Sequence, residues 1–84
     1  MDRYEKGMLA KSKAGHDKGH MYVIFKVDDA YVYLVDGNVR TIERPKRKKR
    51  KHVQIINDNH EINDIDDVGI KRILKLFGKE TGRK

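Results

Sequence analysis

The sequence contains no cysteine, so neither a disulfide nor a thiolate zinc site can support the fold. It also contains no long hydrophobic run. The longest is far short of the roughly 20 residues that cross a bilayer, and Met1–Lys11 has no signal-peptide core. These absences predict a soluble, cytoplasmic protein with no membrane partner. Hydrophobic residues make up only 37% of the 84, and so short a chain buries only about 60–65% of the surface its unfolded form exposes. One modest core is expected, with no room for a catalytic cleft between domains. No Ser or Thr stands where a base and an acid partner are evident, and no glycine loop has the Walker spacing. The expectation is a non-enzyme with no cofactor and no small-molecule substrate.

What the sequence does have is positive charge. The net charge is +7, and it is unevenly spread. Residues 1–52 hold fourteen Lys and Arg against seven Asp and Glu, whereas residues 53–84 hold six of each. All the excess falls in the first part, which points that part toward a polyanion.

Residues 7–42 read as β-structure. Met8–Lys13 is a short first strand. Met21–Val27 is rich in β-branched and aromatic residues, and its odd positions (Met21, Val23, Phe25, Val27) form one apolar face. Tyr31–Val35 is a third strand. Asp36-Gly37-Asn38 reads as a hairpin turn that returns through Val39–Ile42 as a fourth. The sole proline, Pro45, is expected to end or bend the sheet. His52–Ile56 makes a fifth strand, and 57–60 reads as a loop. A helix follows, capped by Asn63 or Asp64, with Ile70, Ile73, Leu74 and Phe77 on one face and Gly78 as its stop. Gly69 is read as weakening its centre. Short strands with tight turns suggest a small barrel, of SH3-like or OB type.

The segment Lys11–Val27 resembles the KOW motif: a strand, a Gly-x-x-Lys-Gly loop (Gly15, Lys18, Gly19), then an apolar strand. Tyr22 stands where many KOW motifs carry a further glycine. Together with Val35-Asp36-Gly37 and the run Pro45–His52, the pattern over residues 7–56 is similar to KOW-domain RNA-binding proteins, bacterial relatives of the fourteenth large-subunit ribosomal protein of archaea and eukaryotes. That resemblance implies a mainly β fold, a small SH3-like β-barrel over 1–56 with the basic segment 44–52 inside it. A loop, the C-terminal α-helix and a basic tail occupy 57–84. It also implies RNA as partner, ribosomal RNA first.

The residues support such a role. Two glycines four apart allow a tight turn whose backbone amides can approach phosphates. Lys11, Lys13 and Lys18 surround that turn. Lys46, Arg47, Lys48, Lys49, Arg50 and Lys51 are six successive cations, expected to be mobile until they meet a polyanion. Arg40 and Arg44 add phosphate contacts. His16 and His20 lie in a turn rather than a helix, which argues against a metal pair; protonated beside RNA, they would strengthen binding as pH falls. Asp64, Asp66 and Asp67 read as a helix start, not a cation site. Tyr22, Tyr31 and Tyr33 have the chemistry to stack on bases but are read as packing residues. The apolar helix face offers a rival reading, a protein-interaction module. A DNA or nucleoid protein is another, since a basic run does not distinguish the nucleic acids.

Overall fold

The computed structural model describes residues 4–80. Five strands, β1 (Met8–Ser12), β2 (Met21–Val27), β3 (Tyr31–Val35), β4 (Lys46–Lys49) and β5 (Val53–Asn59), precede one helix, α1 (Asp67–Glu80). They form a single antiparallel sheet in the order β4-β3-β2-β1-β5. The two outermost strands, β4 and β5, are consecutive in the chain, joined only by the 3-10 turn Arg50–His52. Three residues at about 2 Å rise each cannot span a flat five-stranded sheet. The sheet therefore curls until its edges approach, giving a half-barrel of the small SH3-like kind.

Both faces of this sheet bury apolar residues, which a two-residue period alone does not reveal. The enclosed face buries Met8, Ala10, Tyr22, Ile24, Val32, Leu34 and Val53. The opposite face buries Leu9, Val23 and Val35 beneath Ile62 and Ile70, with Ile73, Leu74 and Phe77 packed around them. The apolar stripe of α1 thus lies on the sheet, and helix and barrel share one domain. Val27 departs from the expected face of β2. The β2–β3 register shifts between Ile24 and Lys26, so Val27 joins the enclosed cluster while Phe25 stays on the helix side.

Four expected elements are corrected. Val39–Ile42 is not a strand. The Asp36 carboxylate accepts the amides of Asn38 and Arg40, both at 2.9 Å, and the Arg40 carbonyl takes the amides of Asp36 and Gly37. That closes a tight loop where a ladder was expected. The fourth strand is instead the basic run itself, beginning directly after Pro45 and pairing with β3. Ladder pairing holds Lys46–Lys49 in place, so this part of the run is not mobile. β5 continues to Asn59, so the expected loop at 57–60 is mostly strand.

The helix begins later than expected and does not stop at Gly78. Asp66 caps it, its Oδ1 accepting the Gly69 amide at 2.9 Å, whereas Asp64 sits at φ 60° before it. Gly69 lies in the first turn, and a Cβ there would meet Ile65 Cγ1 at 2.6 Å. Its missing side chain makes room for Ile65 in the helix-side core. The helix runs past Gly78 to Glu80. The basic tail expected after Gly78 is helix as far as Glu80, and 81–84 lie outside the described residues.

The helix start is fastened to the loop after β3. Asp67 Oδ1 accepts the Ile42 amide at 2.9 Å. Gly37, at φ 77°, passes so close that a Cβ would strike the Asp67 carbonyl and the Lys71 side chain. Only glycine suits that position.

Candidate nucleic-acid interface

The loop between β1 and β2 is built from short-range hydrogen bonds. Ser12 donates its amide to the His20 carbonyl (3.0 Å) and accepts the Gly19 amide (2.8 Å), while Lys18 N–H reaches the Gly15 carbonyl and His20 N–H the Asp17 carbonyl. Gly15 and Gly19 sit at φ 87° and 91°, the left-handed region that makes these two turns possible. The amides of Lys18, Gly19 and His20 are thereby used inside the loop, so these three do not face phosphates as the glycine spacing suggested.

Asp17 anchors the loop to the barrel. Its carboxylate accepts Ser12 Oγ at 2.8 Å, Tyr22 Oη at 2.7 Å and Lys48 Nζ at 3.1 Å, with Lys46 Nζ at 3.5 Å. Burial pushes its pKa up, but the three hydrogen bonds and the Lys46 charge outweigh burial and hold it well below the usual carboxylate range. Tyr22 responds in the opposite sense. Burial and then the adjacent Asp17 carboxylate push its hydroxyl well above the ordinary tyrosine value. Tyr22 is therefore part of the anchor.

This anchor divides the basic run by strand alternation. Lys46 and Lys48 pair with Leu34 and Val32, point to the enclosed face and are neutralised by Asp17. Arg47 and Lys49 pair with Tyr33 and Tyr31 and are exposed on the opposite face. Arg50 is structural: its guanidinium donates to the Asp28 carbonyl and lies 5.2 Å from the Tyr4 ring centroid, and its carbonyl accepts Tyr4 Oη. Lys51 is exposed on the 3-10 turn. Of the six successive cations, Arg47, Lys49 and Lys51 face solvent.

The lysines around the glycine loop are arranged differently. Lys11, Lys13 and Lys18 line one cleft of about 590 Å³ together with Ser12, Gly19 and Gln54. No carboxylate is among its described lining residues. A second cleft of about 370 Å³, on the other side of the loop, gathers His16, His20, Arg40 and Lys46 but also Asp17 and Asp36. Here His20 Nε2 lies 2.9 Å from Asp36 Oδ2, and its ring packs on Tyr22 at 4.7 Å between centroids. Burial acts to raise the Asp36 pKa, yet the amides of Asn38 and Arg40 and the His20 ring lower it on balance. The His20 ring is thus engaged by the Asp36 carboxylate rather than free to meet RNA. His16 is exposed at the loop tip, and Arg44 is exposed in the turn before Pro45.

No family model matches this chain. No curated protein matches it either.

The structure brings Lys11, Lys13 and Lys18 together at Gly19, and separately brings His16, His20, Arg40 and Lys46 together at Asp36. Arg44 and Lys51 line neither of these clefts. Sequence reasoning missed Asp17, Ser12 and Gln54. Asp17 had one available signal, a carboxylate inside an otherwise basic loop, facing a basic run elsewhere in the chain. Ser12 and Gln54 had none.

Proposed function

We propose that this chain is a non-enzymatic RNA-binding protein of the KOW type, ribosome-associated, which grips ribosomal-RNA phosphates at the glycine loop. The observation that carries this reading is the cleft of Lys11, Lys13 and Lys18, three cations converging beside Gly19 with no carboxylate in the described lining. A cluster of like charges without counter-ions costs folding energy unless a polyanion neutralises it. The exposed Arg47, Lys49 and Lys51 extend the cationic surface, while Lys46, Lys48 and Arg50 serve the fold. Such contacts position RNA without reading its sequence. The rival reading, a protein partner on the apolar face of α1, is weakened because Ile70, Ile73, Leu74 and Phe77 already pack on the sheet.

The test is crosslinking of the tagged protein in its native cell, followed by gradient fractionation and sequencing of attached nucleic acid. Crosslinks confined to one ribosomal-RNA region, in large-subunit fractions, are expected. Scattered crosslinks outside ribosomal fractions would indicate a general RNA binder, crosslinks to DNA a nucleoid protein, and none at all a protein-binding module.

A further inference from the structure

The helix covers only part of its face of the sheet. On the same face, β3 presents Tyr31 and Tyr33, which precede the buried Val35 at two-residue spacing. Lys26, from β2, and Arg47, from β4, flank Tyr33 in register, and Lys49 flanks Tyr31. The cations lie on the rings. Lys26 Nζ is 5.2 Å from the Tyr33 centroid, and the Arg47 guanidinium carbon is 4.5 Å from that of Tyr31. Both tyrosines are half-buried, whereas Lys26, Arg47 and Lys49 are exposed. The Asp28 carboxylate borders the patch, accepting Tyr33 Oη at 3.4 Å.

We propose that this patch is a second RNA-binding surface, a stacking platform for unpaired bases of single-stranded RNA. The inference rests on the RNA-binding reading and adds to it the kind of RNA bound. Two side chains alternating on one strand stand about 6.6–6.8 Å apart. Successive nucleotides along one duplex strand are about 3.4 Å apart. Neighbouring bases can therefore each meet a tyrosine only when the strand is unstacked and extended. An arginine plane lying on a tyrosine offers its outer side to a base, and stacking of this kind tolerates any sequence. Lys49 stands beside Tyr31 in register, and the Lys26 ammonium lies over Tyr33; both are exposed and within reach of the intervening phosphates. Packing alone explains the buried part of each ring. It gives no reason for three exposed cations to converge on the two tyrosines, which leave the patch cationic despite Asp28.

The experiment uses the full chain and an oligouridylate, with an RNA hairpin of equal length as control. Ultraviolet crosslinking of the wild-type protein is expected to place uridine adducts on Tyr31, Tyr33 or Arg47. Tyr31→Leu is expected to weaken oligouridylate binding by roughly 5- to 150-fold without altering its salt slope, and Tyr31→Phe to leave it near wild type. Adducts elsewhere, with the tyrosine patch unmarked, would overturn the platform even if Tyr31→Leu failed to fold. Equal loss on hairpin and single strand would overturn it too. Neutralising Lys11, Lys13 and Lys18 separates the two claims. If that variant loses hairpin binding while Tyr31→Leu binds oligouridylate normally, the platform fails and the phosphate cleft stands. If neither variant changes any affinity, both fail.

Discussion

At the scale of single residues, Asp17 decides which cations belong to the fold. Its carboxylate ties the glycine loop to β2 through Tyr22 and to β4 through Lys48. Asp17→Asn removes the charge but keeps the shape, leaving two partly buried ammonium groups without a counter-ion. A loss of about 1–3 kcal/mol is expected in urea denaturation. The pH dependence follows from the depressed folded pKa. The unfolded carboxyl titrates near its ordinary value of about 3.9, so the stabilisation is complete above that pH and is lost as pH falls toward the lower folded value. The wild type should therefore lose stability below about pH 4, with a steeper acid slope than Asp17→Asn. Equal acid slopes would show that the carboxylate is not perturbed. The one signal in the sequence was a carboxylate within a basic loop; which groups it binds was not legible, because its partners lie in β1, β2 and β4.

At the scale of elements, legibility followed the source of each element's stability. β2 and β3 were readable to the residue, since β-branched and aromatic density coincides with paired, buried strand. The helix face was readable for the same reason, but its start was not. Asn63 and Asp64 were the expected caps, and Asp66 takes that place instead with its carboxylate on the Gly69 amide. β4 was misplaced because Val39–Ile42 has the better strand composition. The side chain of Asp36 takes the amides that a ladder would need, and the lysine run gains an ion-pair partner that only the fold provides. Alternation in β4 makes a direct prediction. Lys48→Gln, which breaks a contact in a nearly closed site, should cost about 1–3 kcal/mol of stability. Lys49→Gln, on the exposed face, should stay within about 0.5 kcal/mol. Equal effects would mean that β4 is not held in this register.

At the scale of the whole molecule, the positive excess is unevenly neutralised. On one side of the glycine loop, cations are balanced by Asp17 and Asp36; on the other, Lys11, Lys13 and Lys18 converge without a carboxylate in the described lining. The bias of charge toward residues 1–52 was visible in the sequence. Which lysines remained available was not, since that depends on β1, β5 and the loop meeting at Gln54. The central claim is that these three lysines hold RNA phosphates. The most direct test is the salt dependence of affinity for a single-stranded RNA, compared between the wild type and the Lys11→Gln, Lys13→Gln, Lys18→Gln triple variant. Each lost phosphate contact removes about 0.7 from the log–log slope. The triple variant should bind more weakly, with a slope shallower by about 2; an unchanged slope and affinity would contradict the account.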